Sequence, residues 1–168
     1  MHPEHPDRPD CPHHPEHYRA EIRDHQRHHR PADLGDAMDA WNQRHHDRIC
    51  EYLLAHLPEG PELAAWDIAY VALHEFLAAV WFQPRDRPTT DERHLWATFD
   101  PYYFTIAYYP VLLPFSELPD DFIPRGFQHH YEGFFHFLAT RGVMTSTNAQ
   151  RLATTLHHAL WGEAVGVA

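Results

Sequence analysis

Eighteen histidines in 168 residues are the side chains of this sequence with the most chemistry to offer, because a neutral imidazole ligates Zn²⁺, Ni²⁺ or Cu²⁺ and titrates near neutral pH. Several lie in the opening segment MHPEHPDRPDCPHHPEH, which also carries Cys11. His13, His14 and His17 are its candidate ligands, able to wrap a transition ion without fixing its geometry. The competing reading is a solvated low-complexity tail. A second group, His129, Glu132 and His136, falls at i, i+3 and i+7 on one helix face, with His157 or His158 and His74 or Glu75 as partners from facing helices. No H-E-x-x-H, no repeated E-x-x-H and no C-x-x-C accompanies them, so surface or satisfied-core histidines are the bland alternative.

Nucleophilic chemistry has fewer handles. Ser116 and Ser146 stand in loop contexts without a G-x-S-x-G elbow, and Cys50 lies on an apolar helix face where packing explains it. The seven glycines are scattered singly, so no phosphate-cradling loop of either common type is present. What remains is an aromatic set in the middle of the chain: Trp66, Tyr70, Trp81, Trp96, Phe99, Tyr103, Tyr108 and Phe134, with His74 among them. Rings with a few hydroxyl, indole and imidazole groups describe either a small-molecule pocket or an aromatic core. A haem or cofactor-free active site at His74 or His130 is a third reading.

Composition bounds the classes further. The net charge is −11, and every one of the 13 basic residues is Arg. An acidic chain without a cationic patch argues against nucleic-acid binding. With only two cysteines, a disulfide framework is not expected. The opening segment lacks the apolar run of a secretory signal, and no stretch of about 18 apolar residues occurs. A soluble, cytoplasmic protein without a membrane span follows as the expectation.

The elements that must hold these residues are helical. Pro at 3, 6, 9, 12 and 15 suits an extended arm and forbids a helix; a short polar helix from Tyr18 to Arg30 follows it, with little apolar surface to dock. Residues 1–32 are therefore read as an arm and 33–168 as one helical domain. Met38, Trp41, His45, Ile49, Leu53 and Leu57 form the stripe of an amphipathic helix over Asp33–Leu57. The run from Pro61 to Phe82 is apolar on most of its circumference, which marks a buried helix. Thr90 or Asp91 caps a short helix near His94–Phe99. PYYFTIAYYPVLLPF has strand-like composition but no partner strand, so it is assigned to a buried helix interrupted near Pro110 and Pro114. Two long helices complete a bundle of about six: Leu118–Thr140, closed by Gly142, and Thr147 to about Val165, with Leu152, Leu156, Leu160 and Trp161 as its stripe.

This order of features, with FDPYYFTIAYYPVLLPF, FFHFLATRGVMTSTNAQ and RLATTLHHALWGEAVGVA in succession, resembles the ligand-binding C-terminal domain of TetR-type transcriptional regulators. Leu138–Met144 and Arg151–Gly162 carry the likeness, which extends over Asp36–Ala168. It implies an effector pocket inside the bundle at the aromatic set and a homodimer through the last two helices. The family's helix-turn-helix has no counterpart among residues 1–40, so DNA recognition is not implied. The expected function is non-enzymatic binding of a small apolar or aromatic ligand, with no resident cofactor. The alternative is a transition-metal-binding protein that uses the histidine-rich arm and the bundle histidines.

Overall fold

The computed structural model describes residues 15–28, 37–57 and 65–162. Every regular element among them is helical: α1 (Pro15–His28), α2 (Ala37–Ala55), α3 (Trp66–Phe82), α4 (Glu92–Thr98), a π-helical segment (Tyr103–Tyr108), α5 (Tyr109–Leu112), single 3₁₀ turns at Leu113–Phe115 and Pro124–Phe127, α6 (Gln128–Thr140) and α7 (Ser146–Trp161). The all-helical expectation is met, and the strand-like composition of residues 101–115 is overridden by the lack of a pairing edge. None of the described helices is long and apolar enough to cross a membrane.

The chain forms two compact units, Met1–Tyr70 and Val71–Ala168, and the boundary falls inside α3. In the first unit, α1 packs on α2. The polar sequence of α1 hides two apolar anchors four residues apart, Tyr18 and Ile22, and both are buried; one face of a helix needs no more than that to dock. The α2 stripe is as expected, with Trp41, His45, Ile49 and Leu53 buried. Cys50 is buried and unbridged beside them, and burial, reinforced by Asp47 and Glu51, pushes its thiol up to about 12. Such a thiol is packing material and not a nucleophile.

In the second unit, α6 and α7 form an antiparallel hairpin with a defined joint. The N–H of Val143 reaches the carbonyl of Leu138 at 3.0 Å and that of Gly142 reaches Ala139 at 3.1 Å, the paired bonds that close a helix through a left-handed residue. Gly142 takes φ +72°, a conformation in which other residues are strained. Thr145 then caps α7 by accepting from the N–H of Asn148 at 3.0 Å, and Gly162 ends it with φ +56°. The helix read over Leu118–Thr140 is shorter than expected: α6 begins at Gln128, preceded by the Pro124–Phe127 turn, because Pro119 and Pro124 each remove a donor that a continuous helix would use.

Leu152, Leu156 and Leu160 are buried within the chain itself, and only Trp161 of the α7 stripe is exposed. A dimer face made of that stripe is therefore not what α7 offers: a two-helix hairpin must bury its apolar side somewhere, and here it does so internally. Five ring contacts at Phe76, Phe104 and Phe135 knit the core.

Candidate functional site

Glu75 is the one acidic side chain of α3 beyond its first turn, and it sits between the buried residues Leu73 and Phe76. Its partner comes from the π-helical segment. An α-helix through residues 103–112 would ask the N–H of residue 110 to meet the carbonyl of Ile106, but residue 110 is Pro and has no donor, and its ring crowds that carbonyl. The backbone widens instead, and the N–H of Tyr109 reaches back five residues to Phe104. The widened turn turns Phe104 and Tyr108 inward and sets the Tyr108 hydroxyl 3.3 Å from Glu75 Oε2 as a donor. Single π turns of this kind recur at functional sites.

Two more tyrosines complete the group. Tyr109 donates to the carbonyl of Phe122 at 2.5 Å. Tyr131, from α6, is 1% exposed, stacks on Phe76 at 4.9 Å and meets Phe104 edge-on at 5.7 Å. Its hydroxyl is sealed from solvent and has no hydrogen-bond partner, an arrangement that costs on the order of 1–3 kcal/mol. Burial holds the Glu75 carboxyl above the usual carboxylate range, Glu117 adds to the effect and the Tyr108 bond opposes it. Burial likewise raises the phenols of Tyr108 and Tyr131, with Glu75 contributing to both. The group is thus a half-buried carboxyl that is costly to ionise, ringed by aromatic faces and by one hydroxyl whose bonding capacity is unused. An ammonium group placed there would relieve the carboxyl and meet ring faces that attract cations.

No family model, curated protein or solved structure matches this chain.

The nine residues expected to bind a ligand have separate fates. Tyr108 belongs to the group just described, while Tyr103 stands beside it, its ring 6.2 Å from that of Tyr108 and its hydroxyl donating to the Phe82 carbonyl at 3.4 Å. Trp96, Phe99 and Phe134 are core residues, fully packed, and His74 is half-buried. Trp81 lines an open groove of about 480 Å³ with Gln83, Arg85, Pro88, Thr89 and Thr90. Trp66 and Tyr70 belong to the first unit. Around Phe76 the rings of Phe99, Phe104, Tyr131 and Phe135 stand 4.8 to 5.5 Å away, contact distances rather than the walls of a hollow. Rings alone pointed to neither Glu75 nor Tyr131 as a member of this group. The available signal was a lone carboxylate inside an apolar helix, since such a group is seldom buried without a reason.

The α6–α7 hairpin carries the histidine group. Glu132, His136, His157 and His158 line an open groove of about 330 Å³ with Gln150, Ala153 and Thr154. Gln128 ties it together: its side-chain N–H₂ donates to Glu132 at 2.8 Å and lies 2.9 Å from His157 Nδ1, and its oxygen accepts from the Trp161 indole at 2.6 Å. His129 is exposed and its ring lies against His130 at 4.1 Å. His129 and His136 are separated by two turns, about 10 Å along the axis, too far for one ion with bonds of about 2 Å. Among the described residues no group of three His, Cys, Asp or Glu is arranged to hold a metal ion. His17 is exposed on α1, and His13 and His14 lie outside the described residues.

In the first unit, Trp66 donates to Glu21 at 3.0 Å. The Tyr70 hydroxyl lies 2.5 Å from His46 Nδ1, and His46 Nε2 lies 3.2 Å from the carbonyl of Gln26. The His25 ring stands 4.4 Å from that of Tyr70 and 5.7 Å from that of Trp66.

Proposed function

We propose that this chain is a non-enzymatic binding protein for a small ligand, and that the ligand is an aromatic or apolar molecule carrying a protonated amine, received at Glu75, Tyr108 and Tyr131 against Phe76 and Phe104. The observation that carries the reading is the Tyr131 hydroxyl, buried without a partner beside a carboxyl that burial has made costly to ionise. A native core leaves few polar groups in that state, and a ligand with a donor and a positive charge supplies what both lack. The half-buried side of Glu75 is the way in, and the π turn, whose backbone bonding is already interrupted by Pro110, is the element that yields. The resemblance to TetR-type effector domains points to the same class of role, an intracellular sensor without its own DNA-binding motif. Native mass spectrometry with an arylalkylamine series and the matched carboxylic acids tests it: the amines bind and the acids do not.

A homodimer belongs to this reading. Its apolar contacts would come from Trp161 together with Ile106, Val111, Phe115 and Ile123, large side chains that stand in solvent and that stable partners tend to cover. Light scattering distinguishes dimer from monomer.

One observation favours a second reading, the capture of a transition metal: the groove where Glu132, His136, His157 and His158 come together. Ligation there requires Gln128 to release His157 and Glu132. Zinc would then raise the melting temperature, and His136→Ala would remove the gain; an unchanged melting curve would end this reading.

A further inference from the structure

Tyr70 and His46 form a pair whose chemistry the ligand site does not use. A carbonyl can only accept, so the 3.2 Å contact to Gln26 puts the ring proton of His46 on Nε2 and leaves Nδ1 as the acceptor of the Tyr70 hydroxyl at 2.5 Å. Three helices contribute: α1 the orienting carbonyl, α2 the imidazole and the first turns of α3 the phenol. This is the arrangement of an activated nucleophile, a hydroxyl on a base that a third group holds in one tautomer. Other phenols of the chain are placed differently. The hydroxyls of Tyr103 and Tyr109 go to carbonyls, which take no proton, and that of Tyr108 goes to a carboxylate, a weaker base than imidazole. Tyr131 is sealed, whereas Tyr70 is half-buried, with the His25 ring edge-on to its own at 4.4 Å.

We propose that Tyr70 is a nucleophilic phenol that accepts an acyl group from an activated ester of a small carboxylic acid, with His46 as its base. The phenolic oxygen forms a bond to the acyl carbon while its proton passes to His46 Nδ1. The bond from that carbon to the leaving oxygen or sulfur then breaks, and the leaving group carries away the electron pair and takes the proton from Nδ1. The products are an ester at Tyr70, a neutral His46 and a released alcohol or thiol.

The test treats the full chain with p-nitrophenyl acetate and maps acetylated peptides by mass spectrometry over time. Tyr102 is also half-buried and serves as the internal reference. Base assistance is worth about a hundredfold or more, so Tyr70 should be acetylated about a hundredfold faster than Tyr102. Tyr70→Phe should abolish the fast label, and His46→Gln should reduce Tyr70 to the reference rate. A Tyr70 rate within a few-fold of Tyr102 overturns the proposal, and so does a fast label retained at Tyr70 in His46→Gln. If His46→Gln melts early, the comparison of the two tyrosines in the unaltered chain decides alone.

Discussion

The hydroxyl of Tyr108 donates to Oε2 of Glu75 across 3.3 Å, joining the apolar helix α3 to a π turn at residues 103–108. That single bond ties the backbone distortion caused by Pro110 to a half-buried carboxyl among apolar residues, and the stability of each bears on the other.

Replacing Glu75 with Gln keeps an acceptor for Tyr108 and removes the ionisation. The folded-state carboxyl is held above its ordinary value by burial, so its contribution to stability is complete at pH below the ordinary carboxylate range and is lost as pH rises through the folded value. Glu75→Gln should therefore leave the melting temperature unchanged at pH 4 and raise it at pH 8. Equal effects at both would show that the carboxyl is not in a costly environment.

Tyr131→Phe deletes a buried hydroxyl without a partner and keeps the ring on Phe76. The variant should be as stable as the parent or more so, by about 1 kcal/mol in urea unfolding, and should bind amine ligands more weakly. A destabilisation of about 2 kcal/mol would mean that the hydroxyl has a bonding partner after all.

His130 is buried between Phe127 and His129, and burial with the nearby His129 pushes its imidazole down to about 4. The ordinary value is near 6.5, so the unfolded chain binds a proton that the folded chain refuses between those limits. Stability is complete above pH 6.5 and falls as pH drops towards 4, by on the order of 3 kcal/mol from this residue. His130→Phe should flatten the melting profile between pH 7 and pH 4.5.

Two arginines hold α4, a seven-residue helix whose N-cap residue Asp91 makes no side-chain bond to it. Arg151 donates to the carbonyls of Trp96, Ala97 and Phe99, and Arg85 donates to that of Leu95 and to the Thr98 hydroxyl. Cations at a helix C-terminus satisfy its unpaired carbonyls and its dipole. Arg151→Met keeps the stem and removes the donors, and should cost about 2 kcal/mol in chemical denaturation; Arg151→Lys should recover only part, because an ammonium cannot spread over three carbonyls as a guanidinium does.

The fold was legible wherever period and punctuation agreed. Trp41, His45, Ile49 and Leu53 announced the buried face of α2, and Gly142 announced the end of α6 through a left-handed conformation that few other residues adopt, whereas α7 starts on the Thr145 cap and stops at Gly162, short of the end near Val165 that its stripe suggested. The docking of α1 was hidden because Tyr18 and Ile22 are a face too small to register as a stripe. Pro110 announced an interruption, but a missing donor can be absorbed by a break, a kink or a π turn, and the choice depends on what packs around it. The candidate site was half visible. Tyr108 and Tyr109 stand out as residue types, whereas the role of Glu75 depends on α3 meeting the π turn and that of Tyr131 on α6, relationships between elements that no local pattern encodes. The histidines misled in the opposite sense, since spacing along one helix says nothing of side-chain reach: His129 turns to His130, and His136 finds its neighbours on α7.

The most direct test is the affinity of phenethylamine measured by titration calorimetry on the parent chain and on Glu75→Gln. The account predicts saturable binding of one molecule per chain that weakens about tenfold in the variant, the worth of a partly desolvated charge contact with its aromatic surroundings intact, while 3-phenylpropionic acid gives no heat with either. Absence of amine binding, or equal affinity for both chains, would contradict it.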